Sequence, residues 1–220
     1  MNIEKLELAV AASEHITNTY LVYDETKKGI LIDPADEADK IISKIEELNL
    51  NIKYIILTHG HFDHTNALYD MINYTKAKVL IHKDDLDMLM GKIDDASSMF
   101  NATPEYINEN EVEKIEDGYT FNVGNMELEI IHTPGHTAGS MIINIKDENA
   151  LITGDTIFAK SFGRCDLVTS NIDSMVNSLR KVFNRFDDKI IIYPGHGDNS
   201  DLKTTKKYIK LLLALRKIEL

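Results

Sequence analysis

Apolar residues follow two rhythms along this chain, one suited to buried strands and one to half-buried helices. Residues 19–23 and 29–33 are short β-branched and aromatic runs on either side of Asp24-Glu25-Thr26-Lys27-Lys28, which predicts two strands joined by a turn. After Asp33-Pro34, a helix-start signal, Ile41, Ile42, Ile45 and Leu48 recur at helical spacing and predict a helix over 36–50 with one buried stripe. The uninterrupted run Tyr54-Ile55-Ile56-Leu57 suits a strand covered on both faces. A helix over 64–73, a strand over 79–82 and a helix over 84–90 follow, and the stretch to 111 has no clear period. In the second half, strands are predicted at 119–123, 126–132, 140–145 and 150–153, with turns at Val123-Gly124-Asn125 and Asp147-Glu148-Asn149. A helix over 172–186 carries Val176, Leu179 and Phe183 on one stripe. A strand at 190–193 and a helix over 201–217, with Tyr208, Leu211, Leu212 and Leu215 inward, complete the pattern. Two runs of strands, each accompanied by helices, predict an α/β chain with two sheets between helical layers.

Composition narrows the function classes. The 220 residues carry a formal charge of −12, which repels phosphate backbones and argues against nucleic acid or an anionic membrane as partner. Apolar residues at 43% and charged residues at 27% are ordinary for a globular chain, and 1–220 is read as a single domain. The one cysteine, Cys165, excludes an intrachain disulfide framework and fits a reducing compartment. Met1-Asn2-Ile3-Glu4-Lys5 makes no basic leader, and no apolar run reaches the ~18 residues that span a bilayer. A soluble, cytoplasmic protein is expected; nothing in the sequence sets an oligomeric state.

The histidines carry the chemistry. Thr58-His59-Gly60-His61-Phe62-Asp63-His64 directly follows a buried strand. Residues two apart on extended backbone project to one side, so His59 and His61 can meet one cation, while Asp63 and His64 fall where the next helix begins. Imidazole and carboxylate are the donors that zinc and similar divalent ions accept. Three later segments repeat the form of an apolar strand, a glycine and a ligand-type residue: Thr133-Pro134-Gly135-His136-Thr137, Thr153-Gly154-Asp155-Thr156 and Tyr193-Pro194-Gly195-His196-Gly197.

With His59-x-His61-x-Asp63-His64, His136, Asp155 and His196 in this order, the sequence resembles the metallo-β-lactamase superfamily from about residue 15 to 200. The resemblance implies a four-layer αββα sandwich with a metal site at one edge. It further implies that His59, His61 and His136 hold one divalent ion, Asp63, His64 and His196 a second, and that Asp155 bridges them; zinc is expected, with iron or manganese as alternatives. Within the superfamily, Gly154-Asp155-Thr156-Ile157-Phe158 and Phe162-Gly163-Arg164-Cys165-Asp166-Leu167 resemble the GDTLF and GRTDL patterns of the glyoxalase II (hydroxyacylglutathione hydrolase) branch, with Cys165 in place of the usual threonine. Members of that branch grip glutathione carboxylates with basic residues on a C-terminal helical region. Here Lys203, Lys206 and Lys207 stand in that part of the chain, and a lysine-rich face is otherwise simply solvated, so the carrier thiol stays open.

The implied activity is metal-dependent hydrolysis of a small thioester or ester by attack of a metal-bound hydroxide, with Asp63 orienting the nucleophile and receiving its proton. A mononuclear-iron persulfide dioxygenase and a lactonase stand as alternatives. Arg164 and Asp166 are expected to pair and to steady the loop after Asp155 behind the ligands. Cys165 is expected to be buried and inert. His132 is taken as supporting or structural, and His82 and His15 as incidental, with His15 at most lining the cleft. Met88, Met90, Met99 and Phe100 are candidates for a wall over the substrate or for ordinary core.

Overall fold

The computed structural model describes residues 1–146 and 148–220; the turn expected at Asp147-Glu148-Asn149 includes Asp147, which lies outside the described residues. The strands sort into two six-stranded sheets. In the first, β1 (Asn2–Ala9), β2 (Ile16–Tyr23), β3 (Lys28–Ile32), β4 (Asn51–Ile56), β5 (Lys78–His82) and β6 (Val112–Ile115) lie side by side in chain order. A tight turn makes β2 and β3 antiparallel, whereas β3 reaches β4 through helix α1 (Ala38–Leu48) and therefore runs parallel to it. The second sheet holds β7 (Thr120–Val123), β8 (Met126–His132), β9 (Met141–Ile145), β10 (Ala150–Gly154), β11 (Ile191–Pro194) and β12 (Ser200–Asp201). Among the described residues its one parallel pair, β10 with β11, is joined by a crossover carrying α5 (Ile172–Arg185).

Alternation along each central strand divides the apolar residues between two faces. Tyr20, Val22, Ile30, Ile32, Ile56 and Leu80 of the first sheet pack against Leu128, Ile130, Met141, Ile143 and Ile152 of the second. Their neighbours Leu21, Leu31, Ile55 and Val79 face outward onto Ile41 and Ile45 of α1 and Leu68 and Met71 of α3 (Leu68–Thr75). On the far side, Ile131, Ile142, Leu151 and Ile192 meet Met175, Leu179 and Val182 of α5 and Ile209 and Leu213 of α6 (Leu202–Leu215). The result is the helix–sheet–sheet–helix order expected from the sequence.

Several local expectations are corrected. The first strand is unannounced because β1 is an edge strand whose Glu4, Lys5 and Glu7 blur its period, and such charges protect an edge from pairing. The helix expected over 64–73 is two pieces, α2 (Phe62–Thr65) and α3, and that over 84–90 is a 3-10 turn, Lys83–Asp85, followed by α4 (Leu86–Leu89). On α6 the inward face is Leu202, Thr205, Ile209 and Leu213, while Tyr208, Leu211 and Leu215 are exposed. Leucines occupy most sides of that helix, so its period alone selects no stripe. Among the described residues, no helix is long and apolar enough to cross a membrane.

Candidate metal centre

The carboxyl ends of β4, β8, β10 and β11 come out at one edge of the sandwich. His59 and His61 follow β4; the chain stays extended at His61 (φ −69°, ψ 146°) and then winds into α2, which turns Asp63 and His64 back toward the same point. His136 follows β8, Asp155 follows β10 and His196 follows β11. Gly154 has φ +47°, and a Cβ there would meet Thr58 Oγ1 at 2.5 Å, so only glycine lets this strand end so close to its neighbour. A side chain at Gly195 would run into Asp155 Oδ1 and the His64 ring.

All seven residues singled out as ligands converge. His61 Nδ1 is 2.9 Å from His136 Nε2, and His59, His61 and His136 offer ring nitrogens within 4.8 Å of one another. Asp155 stands centrally, its oxygens 3.3 Å from His64 Nε2, 3.3 Å from His196 Nε2 and 3.5 Å from His136 Nε2. Asp63 Oδ2 is 3.4 Å from His196 Nε2 and 3.8 Å from His64 Nε2.

Four of the five imidazoles are steered through their far nitrogen. His64 Nδ1–H donates to Asp33 Oδ2 (2.9 Å), His136 Nδ1–H to the Arg164 carbonyl (2.9 Å) and His196 Nδ1–H to the Ile16 carbonyl (2.7 Å). His59 Nδ1 lies 3.1 Å from Thr58 Oγ1, whose own proton goes to Asp33 Oδ2 at 2.6 Å. With Nδ1 the donor, Nε2 is the nitrogen turned to the centre, an arrangement that fixes both tautomer and ring direction. Asn18 and Tyr20 of β2 hold the loop beneath His196, donating to the Pro194 carbonyl at 2.9 and 2.7 Å.

Charge and burial fit a cation. Burial and neighbouring imidazoles hold His59 well below its ordinary value and push His61 down to about 3, so both keep lone pairs. Burial works against ionisation of Asp63 and Asp155, yet the facing imidazoles outweigh it and hold both carboxyls well below the usual range. Burial likewise opposes protonation of His64 and His196, but Asp155 and Asp63 lift them to about 10 and about 11. His59 Nε2 and Asp155 Oδ1 are buried with no hydrogen-bond partner, which is rare for interior polar atoms and is resolved if each meets a metal ion.

Several residues have places the sequence did not indicate. Asp33 reads as a helix-start signal, yet it is buried behind His64 and accepts from Thr58 N (2.7 Å) and Thr58 Oγ1. Asp85 is also buried and binds the ligand loops together, accepting from Gly60 N at 3.0 Å, Gly139 N at 2.7 Å and Thr137 Oγ1 at 2.6 Å. His15 is not incidental: its Nε2 lies 2.9 Å from Asp63 Oδ2 and its ring stands edge-on to His196. Arg164 and Asp166 form a two-point ion pair (2.7 and 2.9 Å) at the exposed rim, and Arg164 reaches the ligands only through its carbonyl. Cys165 is half-buried, and burial pushes its thiol up to about 11. Met88 is core and Met90 packs against it, while Met99 and Phe100 line the cleft.

Outside the ligand set, His82 stacks on His132 at 3.8 Å with rings 13° apart, and His132 Nε2–H donates to the Ala138 carbonyl at 2.8 Å. Burial, with His132 beside it, pushes His82 down from 6.5 to about 4. The unfolded chain therefore binds a proton that the folded chain refuses, and stability is fully present above pH 6.5 and declines as pH falls toward about 4. Urea midpoints measured across that window are expected to fall less steeply for His82→Asn than for the native protein; parallel slopes would show that His82 contributes nothing to the decline.

The sequence pattern that defines the Metallo-beta-lactamase superfamily matches residues 12–196. A hydroxyacylglutathione hydrolase (GloC) of Haemophilus influenzae is 29% identical over 94% of this chain and 96% of its own. A probable metallo-hydrolase (MJ0888) of Methanocaldococcus jannaschii is 39% identical over 90% of this chain and 95% of its own. Among solved structures, TTHA1623 in a di-iron-bound form has a TM-score of 0.82 at 26% identity, covering 94% of this chain and 99% of that one.

Proposed function

The chain belongs to the metallo-beta-lactamase superfamily, and we propose that it is a two-cation, cytoplasmic hydrolase of a small thioester or ester, similar in chemistry to glyoxalase II. The observation that carries this reading is the convergence of five imidazoles and two ionised carboxylates at the floor of an open cleft, with Asp155 central among them. An aspartate at 155, the Gly154–Phe158 motif and the likeness to a hydroxyacylglutathione hydrolase favour the thioester. In this assignment His59, His61 and His136 would hold one ion and Asp63, His64 and His196 the other, with Asp155 available to both. Divalent cations there, zinc first and iron or manganese as alternatives, lower the pKa of water toward ~7 and polarise a carbonyl oxygen.

The chain's own residues do the rest. Asp63 is held between His15 and His196, so its carboxylate keeps one direction; it orients the attacking water and receives the proton. Attack at the carbonyl carbon is followed by C–S cleavage, and the proton on Asp63 passes to the departing thiolate. Asp63→Ala is expected to lower turnover at least about a hundredfold, the usual worth of a placed acid–base group, when metal content is matched by elemental analysis. An unaltered rate in the metal-replete variant would remove that role. To test the class of reaction, one metal-quantified preparation is assayed for thiol release from acyl thioesters and for oxygen uptake with a thiol persulfide. Thiol release without oxygen uptake is expected; the reverse would make the protein a persulfide dioxygenase.

A further inference from the structure

The cleft above the ligands has a volume of about 280 Å³, and its walls are apolar on both sides. Ala96, Met99 and Phe100 form one wall, around the 3-10 turn Ser97–Phe100, and Phe158 and Leu167 form the other. Neither wall is loose filler. Phe100 packs on Phe62 (5.6 Å between centroids) and edge-on to His15, and Phe158 stands 5.8 Å from the His196 ring. The loop carrying Leu167 is pinned beside the ligands, because Leu167 N donates to Ser170 Oγ and Ser170 Oγ–H donates to the His136 carbonyl.

Cations are scarce at this mouth. Among the described residues Arg164 is the one lysine or arginine lining it, and the Nε and Nη2 edge of its guanidinium is engaged by Asp166. The lysines that stand where a glutathione grip is expected are elsewhere: Lys206 pairs with Asp188, and none of Lys203, Lys206 and Lys207 lines the cleft. A carrier with two carboxylates would thus meet a single guanidinium, already shared with Asp166, on a protein of net charge −12. An uncharged alkyl chain would instead bury itself against five apolar side chains a few ångströms from the reacting centre.

We infer that Ala96, Met99, Phe100, Phe158 and Leu167 set the specificity of this site for thioesters bearing an uncharged, apolar chain next to the scissile carbonyl. The inference rests on the thioester reading for its chemistry, but its physical content is an apolar subsite. Zinc-loaded protein is assayed with N-acetylcysteamine thioesters from acetyl to hexanoyl, with acetyl thioesters of linear alkanethiols, and with acetylglutathione. The matching ketones, in which a methylene replaces sulfur, are titrated by ¹³C-methyl shifts of Met99.

Along the acyl or the alkanethiol series, kcat/KM is expected to rise about threefold per methylene, just under the ~fourfold that full burial at about 0.8 kcal/mol each would supply. Whichever series rises identifies the side that fills the cleft. Acetylglutathione is expected to be no better than acetyl-N-acetylcysteamine. Met99→Gln and Leu167→Gln are expected to flatten the hexanoyl-to-acetyl ratio and Met99→Leu to restore it; a ratio within one preparation does not depend on how much of it is folded. Flat series on both sides, or a glutathione preference of about tenfold or more, would overturn the inference. If ketone affinity climbs with chain length while no thioester is cleaved, the hydrolase reading falls and the apolar subsite stands; if ketone affinity is flat, the subsite falls whatever is hydrolysed.

Discussion

Asp155→Ala is expected to lower turnover on the order of a thousandfold and to reduce bound metal from two ions per chain to one or fewer. The carboxylate is buried, stands 3.3–3.5 Å from three imidazoles, and leaves Oδ1 without a hydrogen bond in the protein. On the proposed assignment, Asp63 and Asp155 would be the two anionic ligands of two divalent ions, so removing one would leave the interior with an unmatched charge. Breaking a buried charge pair costs about 3–5 kcal/mol, which at ~1.36 kcal/mol per decade corresponds to two to four powers of ten. Asp155→Asn keeps the volume and one acceptor but not the charge, and should lie between. Elemental analysis and thiol-release kinetics on the same preparations decide it. An alanine variant with two ions and a rate within about tenfold of native would show that Asp155 is not shared between them.

Asp33→Ala is expected to damage both the fold and the metal site, although residue 33 touches none of the reacting atoms. Its buried carboxylate accepts from Thr58 N, Thr58 Oγ1 and His64 Nδ1, so truncation strands three donors in the interior. Each stranded group costs about 1–3 kcal/mol, part of which relaxation recovers; a loss of about 3–5 kcal/mol in the metal-free protein is expected. Residue 33 also has φ +50°, where aspartate and asparagine are tolerated better than alanine. Asp33→Asn separates the two effects. An amide preserves shape and backbone preference but presents N–H₂ where His64 needs an acceptor, which favours the imidazole tautomer with its proton on Nε2, the nitrogen meant for the metal. Stability near native with metal affinity weakened about 10–100-fold is expected for the amide, measured by urea unfolding of stripped protein and zinc competition with a chromophoric chelator. Native affinity in Asp33→Asn would show that His64 is not steered through Asp33.

These two positions illustrate what the sequence discloses and what it withholds. The ligands are legible because imidazole and carboxylate are uncommon at the ends of apolar strands, and four such residues fall within residues 59–64. The layered fold is legible because Tyr54-Ile55-Ile56 in β4, Ile130-Ile131 in β8 and Ala150-Leu151-Ile152 in β10 are apolar on both faces, as strand segments between a helix layer and a second sheet must be. Asp33 is not, since a lone aspartate before a proline is also an ordinary turn. The carbonyls of Ile16 and Arg164 are less legible still, because every residue has a carbonyl and only the folded chain selects which one faces a ring. His15 hides for a related reason: β1 and β2 must pair before residue 15 is brought to Asp63, 48 positions away. Leucine crowding on α6 and charge on β1 remove the periodicity that elsewhere identifies the buried face.

Anchoring two rings to peptide oxygens has an evolutionary corollary. Side chains at positions 16 and 164 can change identity without releasing His196 or His136, provided the local chain path survives. The rim of the cleft is thereby free to drift, or to be randomised in a library, while the catalytic floor stays registered. On the proposed function, the residues that would choose a substrate and those that would act on it sit on separate parts of the polymer, so a new substrate can be sought at the mouth without rebuilding what lies below it.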